Sequence, residues 1–92
     1  PVFGMLARQI RLVLQAKALL EDRPDAGKQD IADEFGVHPF VAQKVLAEAK
    51  RHSFRKIQGW HALATELDVA MKRGVSADIA VDRLVAALLD AS

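Results

Sequence analysis

The sequence predicts an all-α fold, a compact five-helix orthogonal bundle with a helix-turn-helix-like centre. Apolar residues recur at helical spacing, and no run of β-branched residues alternates with polar ones as strands do. Helix-breaking residues are few and divide the chain into blocks. With 51% hydrophobic and 27% charged residues, the composition is that of a globular protein.

The breakers define five predicted helices. The separating residues are Pro24 with Gly27, then Gly36, then Gly74. The helices are expected over residues 2–22, 28–35, 39–51, 54–73 and 77–90. No internal repeat interrupts this order.

Residues with end-specific preferences mark the helix boundaries. Pro39 suits the first turn of the third helix, because the N–H that proline lacks would be unpaired there. Ser53 and Ser76 are the predicted N-caps of the fourth and fifth helices. Gly36 and Gly74 are the predicted left-handed residues where the second and fourth helices end.

Length and composition predict one domain spanning residues 1–92. A 10.1 kDa chain exposes about 5,300 Å² when folded and buries roughly 64% of its extended surface, which suffices for one core. Cysteine is absent, and the longest aliphatic run, residues 84–89, is too short to cross a bilayer. A chain that starts at Pro1 is expected to be a piece of a longer one.

No catalytic, cofactor or metal site is predicted. The histidines at positions 38, 52 and 61 have no ligand-pair spacing, so each is expected at the surface or as a cap. The four hydroxyl residues form no nucleophile elbow, and the scattered glycines form no phosphate loop. The enzyme classes that depend on these motifs are therefore disfavoured.

Charge is unevenly distributed although the net charge is only +1. Residues 21–34 carry six acids against two bases, a net charge of −4, and residues 44–56 carry five bases against one acid, a net charge of +4. Such blocks indicate solvated helix faces or a docking surface.

The first helix is apolar over an arc of about 220°, roughly twice what an ordinary surface helix needs. This width predicts a helix that is central to the bundle or shared with a partner. Gln9 and Lys17 fall inside the arc and are expected to be paired or to face another chain. Asp68, beside the apolar stripe of the fourth helix, has two candidate partners: Lys72, four residues on, and Lys17 on the first helix.

Residues 29–46 have the spacing of a helix-turn-helix unit, with a small residue, a turn glycine and branched residues between the helices. The unit is open to three interpretations: a structural element, a partner-docking surface, or a DNA-binding element. The apolar Phe40 is predicted to be exposed on the second helix. A DNA-binding module would use Gln43, Lys44, Lys50, Arg51, Arg55 and Lys56.

The whole chain resembles the C-terminal domain of the bacterial DNA polymerase III delta subunit, a component of the sliding-clamp loader. The opening helix carries the matching segments 3–11 and 14–17, and the centre carries Ile31-Ala32 and segment 36–42. Asp68, Met71-Lys72 and Gly74 resemble the family's ending of the fourth helix. Their order and spacing extend over essentially all 92 residues.

The resemblance implies a five-helix unit that joins the corresponding domains of other loader subunits in a circular collar. Other domains of the parent chain would contact the sliding clamp and resemble an ATPase without being an active one. The parent would be part of a DNA-directed DNA polymerase holoenzyme, a nucleotidyltransferase, in the bacterial cytoplasm. The resemblance implies no cofactor, no membrane contact and at most weak or indirect contact with DNA.

On this basis the chain is expected to expose more apolar surface than its own core can bury. The candidate partner interface comprises Leu12, Ala16, Leu19, Phe40, Leu88 and Leu89. An isolated domain with such a surface uncovered is also expected to self-associate.

Overall fold

The computed structural model describes residues 1–90, which form five α-helices and no strand. The helices are α1 (Val2–Asp22), α2 (Lys28–Phe35), α3 (Pro39–Arg51), α4 (Phe54–Lys72) and α5 (Ala77–Leu89). The predicted all-α class is confirmed, as are the bounds of the first three helices. The fourth and fifth each end one residue earlier than predicted.

Side chains cap the starts of three helices. The Ser53 and Ser76 hydroxyl oxygens accept hydrogen bonds from the backbone N–H groups of Lys56 (3.1 Å) and Ile79 (3.3 Å). At α3, His38 Nδ1 accepts from the Phe40 N–H at 3.0 Å. Each cap satisfies one of the N–H groups that a helix start leaves unpaired, which confirms the two predicted serine caps.

Glycines end two helices in the left-handed region. Gly36 closes α2 with φ 63°, and Gly74 follows α4 with φ 110°. Only glycine adopts these angles without a steric penalty from a Cβ atom, so both predicted stops are confirmed.

The start of α2 is held by Asp30, a contact that the sequence pattern did not predict. Asp30 Oδ2 accepts a 2.8 Å hydrogen bond from the Gly27 N–H, and Oδ1 pairs with Arg23 Nη2 at 3.1 Å. The Gly27 N–H, aided by the Arg23 charge, lowers the pKa of the Asp30 carboxyl although partial burial opposes this shift. The loop between α1 and α2 is thereby fixed at both of its ends.

α1 is the central helix of the bundle. It packs against α3, α4 and α5, while α2 packs on α3 and α5 packs on α4. The α2–α3 pair therefore covers one side of α1 and the α4–α5 pair covers the other. Its wide apolar arc is explained by this position, which confirms one of the two alternatives the arc predicted.

The core is built from every helix. Its buried members are Phe3, Ile10, Leu12, Val13, Ala16, Ile31, Ala32, Ala42, Val45, Ala49, Ile57, Trp60, Ala64, Leu67, Ala80 and Leu84. Six of these are alanines, which allow the helix axes to approach closely. No buried side-chain N or O atom within residues 1–90 lacks a hydrogen-bond partner.

The domain exposes more surface than a compact chain of its mass. Its accessible surface is 5992 Å², above the roughly 5,300 Å² that size scaling gives. The radius of gyration is 13.7 Å against about 12.3 Å expected for 92 residues, and the extents are 42 × 27 × 18 Å. The flattened shape follows from placing helix pairs on two sides of one central helix.

Two leucines of α5 offer a matched test of this core. Leu84 is fully buried, whereas Leu89 is 76% exposed. We expect Leu84→Ala to lower the free energy of unfolding by about 2–5 kcal/mol, because it removes buried methyl groups and leaves a cavity. We expect Leu89→Ala to change it by about 0.5 kcal/mol or less. Urea unfolding followed by circular dichroism measures both, and equal losses would contradict the packing of α5.

The Asp30 contact predicts an acid-dependent loss of stability. Since the pKa of Asp30 is lowered by folding, its contribution is present above the unfolded-state pKa of about 3.9 and is lost as the pH falls through the folded-state value. We expect Asp30→Asn to destabilise the domain at pH 7, and the difference from the unsubstituted chain to shrink on acidification. Urea unfolding at several pH values measures this, with Asp25→Asn as the control for loss of one charge.

Candidate functional site

The outward face of α3 carries the side chains that the helix-turn-helix spacing singled out. The exposed residues are Phe40, Gln43, Lys44, Ala47, Lys50 and Arg51. Ala42, Val45 and Ala49 point the other way and are buried in the core. At 100° per residue the six exposed positions span about a third of the helix circumference, so they form one continuous face.

Phe40 is an exposed aromatic residue at the start of this face. Its relative exposure is 60%, and the Lys44 ammonium lies 4.6 Å from the ring centroid. A cation over an aromatic face at an exposed site contributes about 0.5–1 kcal/mol. The contact holds Lys44 one helical turn above the ring while most of the ring stays in contact with solvent.

The remaining cations cluster where α3 ends and α4 begins. Lys50, Arg51 and Arg55 are exposed, and Lys56 is half-buried. Arg51 Nη1 lies 3.8 Å from Glu48 Oε1, an exposed pair of small energetic value. The structure therefore brings all the predicted basic residues to α3 and the first turn of α4, with Glu48 beside Arg51 and Asp90 lining the same cavity as Arg55 and Lys56.

A polar pair that the sequence pattern did not reveal lies beside this face. His52 Nε2 and Glu48 Oε2 are 3.2 Å apart, and the His52 ring meets Trp60 edge-on with centroids 4.8 Å apart. The His52 side chain is only 13% exposed, so it lies at the edge of the core and not at the surface, while the His52 backbone forms the C-cap of α3, one of the two places expected for a histidine. The available signal was the four-residue spacing of Glu48 and His52 on one helix.

These residues border an apolar cavity of about 200 Å³ where four helices meet. It is lined by Leu6, Gln9, Ile10, Val13, Glu48, His52, Trp60 and Leu88. Gln9, expected to need a partner, lies half-buried at this cavity. The lining shows that the first half of α1 lies beside the last turn of α3 and the end of α5.

The structure buries some residues of the candidate partner interface and leaves others exposed. Leu12 and Ala16 are buried beneath the neighbouring helices, so their assignment to an accessible interface is wrong. The error arose because the arc of α1 is covered by its own domain. Leu19 and Leu88 are half-buried against the core, whereas Phe40 and Leu89 are exposed.

Two exposed apolar residues of α1 were not singled out from the sequence. Val2 and Met5 are 58% and 70% exposed in the first turns of the helix. Helical periodicity places them on the apolar arc but does not show that the arc extends beyond the neighbouring helices. The covered part of the arc depends on the ends of α3 and α5, which lie beside residues 6–13 of α1.

Asp68 pairs within its own helix. Its Oδ2 lies 3.0 Å from Lys72 Nζ, and both side chains are well exposed. The alternative contact with Lys17 does not form, because Asp68 lies beside residues 3–11 in the first half of α1, while Lys72 is one turn away on the same helix. Asp68 also borders a shallow cavity of about 310 Å³ between α1 and α4, together with Arg11 and His61.

Neither a metal-binding cluster nor a membrane-spanning helix is present within residues 1–90. No group of three or more histidine or carboxylate side chains converges as a metal site there. None of the helices in that range combines the length and apolar composition that a membrane span requires.

A family model for the C-terminal domain of the DNA polymerase III delta subunit matches residues 1–88. The chain belongs to this family. No individual curated protein and no solved structure matches the chain. The delta C-terminal domain is therefore identified by a match over nearly the whole chain, which confirms the resemblance found in its motifs.

The motifs of this delta C-terminal domain have clear structural roles. Segment 36–42 forms the left-handed end of α2, the turn, and the capped start of α3. The ending of the fourth helix supplies the Asp68–Lys72 ion pair and the positive-φ Gly74. Both of these motifs therefore include residues that fix helix ends.

Proposed function

We propose that this chain is a non-catalytic assembly domain that holds the delta subunit in the clamp loader during DNA replication. Family membership supports a place in the DNA polymerase III machinery. In this proposal the domain joins the other loader subunits in the collar, and the sliding clamp is contacted by other parts of the delta protein. The parent chain then belongs to a DNA-directed DNA polymerase holoenzyme, a nucleotidyltransferase that acts in the bacterial cytoplasm.

The exposure of Phe40 is the observation that carries this proposal. Large aromatic residues are enriched among the few side chains that dominate binding energy in protein interfaces. A phenyl ring that is 60% exposed gains substantial burial when a partner covers it. Leu89 and Met5, at the ends of α5 and α1, offer further uncovered apolar surface.

Replacing Phe40 by aspartate tests the assembly role. We expect Phe40→Asp, in the intact delta protein, to weaken binding to the other loader subunits by about 30-fold or more, the effect of losing an interface hot spot of about 2 kcal/mol. The fold should survive, because Phe40 is exposed and a carboxylate in the first turn of α3 interacts favourably with the helix dipole. Pull-down and isothermal titration calorimetry measure the binding.

The matched control is Val69→Asp. Val69 is an exposed apolar residue of α4, 42% exposed, outside the candidate interface. We expect it to leave loader binding unchanged, and thermal melting should show both variants folded. Normal loader binding by a folded Phe40→Asp variant would reject the assignment of this surface.

A second candidate function is binding of DNA through the outward face of α3. Gln43, Lys44, Lys50 and Arg51 are exposed on one helix face, and Arg55 and Lys56 extend the cations onto α4. Cations at this spacing suit phosphate contacts, and Gln43 is suited to hydrogen bonding with a base edge. Glu48, among the cations, opposes the approach of phosphates.

Salt dependence discriminates this candidate from the assembly role. If the cations contact phosphates, we expect affinity for duplex or primer-template DNA to fall steeply between about 50 and 200 mM salt, and Lys50→Gln with Arg55→Gln to reduce the salt slope by about two. Fluorescence anisotropy measures both effects. Absence of binding at the lower salt concentration eliminates the DNA-binding function and leaves the assembly role intact.

A further inference from the structure

The apolar cavity of about 200 Å³ where α1, α3, α4 and α5 meet has a buried floor and a half-buried rim. The floor consists of Ile10, Val13 and Trp60, all of them core residues. The rim consists of Leu6, Gln9, Glu48, His52 and Leu88. The core therefore closes the cavity on one side, and the rim residues border both the cavity and solvent on the other.

The volume of the cavity limits the size of a ligand. An apolar cavity of about 150 Å³ in a protein interior binds benzene. This cavity is about a third larger, which leaves room for a polar substituent or a fused five-membered ring. It is smaller than the roughly 300–1,000 Å³ of cavities that hold drug-sized ligands. A molecule the size of phenol or indole therefore fits, and a nucleotide does not.

Two aromatic rings meet in the wall of the cavity. The His52 and Trp60 rings are in edge contact, with their centroids 4.8 Å apart and their planes at 72°. Both residues line the cavity, and the other apolar lining residues are aliphatic. Aromatic rings pack favourably against one another in edge-to-face and offset arrangements. This lining therefore favours a flat aromatic ligand over an aliphatic one of the same size.

The charged groups at the rim favour an uncharged ligand. The Glu48 carboxylate lies 3.2 Å from His52 Nε2 and 3.8 Å from Arg51 Nη1, so it already has polar partners. An anionic ligand would be repelled by this carboxylate. A cationic ligand would lose its water of hydration against an apolar floor, which is costly. A neutral ring meets neither obstacle.

Gln9 supplies a hydrogen-bonding group at the rim. Its side-chain amide makes no hydrogen bond to another group within residues 1–90, although it lines the cavity and is half-buried. An amide offers an oxygen acceptor and two N–H donors. A hydroxyl or ring N–H of a ligand can therefore be bound at the rim while the ring itself covers the apolar floor.

We propose that this cavity is a binding site for a small uncharged aromatic molecule with one hydrogen-bond donor, of the size of phenol or indole. The ring lies on the floor beside Trp60, and the donor bonds to the Gln9 side-chain oxygen. The site is separate from the outward face of α3, because Phe40 does not line the cavity. A ligand that binds only the folded domain stabilises it in proportion to its affinity and concentration.

Titration of the 92-residue chain with phenol, followed by NMR, tests the proposal. Trp60 is the single tryptophan, so its indole N–H gives one identifiable signal. We expect saturable shifts of this signal and of the other lining residues, with a Kd of about 1 mM or lower, and a melting temperature that rises with phenol concentration. Shifts that grow linearly without saturation, or that avoid the lining residues, would overturn the proposal.

Two compounds matched to phenol in size test the chemistry of the ligand. Cyclohexanol keeps the hydroxyl group but is aliphatic, and we expect it to bind at least threefold more weakly, in the order of the energy of one aromatic contact. Benzoate is an anion, and we expect it to bind at least tenfold more weakly because of Glu48 and the apolar floor. Equal affinities for phenol and cyclohexanol would reject an aromatic site, and equal affinities for phenol and benzoate would reject a neutral one.

Replacing Gln9 by leucine tests the hydrogen bond. We expect Gln9→Leu to lower the ratio of phenol affinity to toluene affinity by about tenfold, because toluene has no donor to lose a partner. Gln15→Leu makes the same change at an exposed position of α1 outside the cavity, and it should leave the ratio unchanged. An unchanged ratio in a folded Gln9→Leu variant would contradict the role of Gln9.

The cavity site and the proposed assembly role are tested independently. We expect Phe40→Asp to bind phenol like the unsubstituted chain, and loss of phenol binding in that variant would contradict a separate site. Because these titrations use only this chain, absence of phenol binding rejects the cavity site and leaves the loader-assembly role as it stands.

Discussion

The structure depends on covering the apolar arc of α1 from two sides. α1 contributes Phe3, Ile10, Leu12, Val13 and Ala16 to the core, the largest share of any helix. Neither the α2–α3 pair nor the α4–α5 pair can cover an arc of about 220° alone, because an ordinary helix contact covers about half of it. The order of the five helices around α1 follows from this requirement.

The same arrangement produces the surfaces available for binding. Helix pairs on two sides of one helix make a flattened domain, and the outer sides of α3 and α5 have no further layer over them within residues 1–90. Phe40 and Leu89 are exposed for this reason. In a domain of the DNA polymerase III delta family, such uncovered apolar residues favour an assembly role over a role carried by a chemical site.

The edge of the core shows how polar groups are accommodated in so small a domain. His52 is nearly buried, yet Glu48 supplies a hydrogen-bonding partner and Trp60 an aromatic edge contact. The Asp30 carboxylate plays the corresponding part at the start of α2. The His52–Glu48 and Asp30–Gly27 bonds join positions four and three residues apart, so they form locally and leave the long-range contacts of the core largely apolar.

The sequence by itself determined the helices, their ends and the outward face of α3, because these depend on local preferences. The residues that start or end helices act within one turn of their own position, as Gly36, Pro39, Ser53 and Gly74 do. The helical period of 3.6 residues places Val45 on the buried side of α3 and Lys44 on its exposed side. Only the tertiary structure decided what covers each apolar stripe. Leu12 and Leu89 both lie on wide apolar faces, yet Leu12 is enclosed by neighbouring helices and Leu89 is not, because burial depends on neighbours distant in the chain.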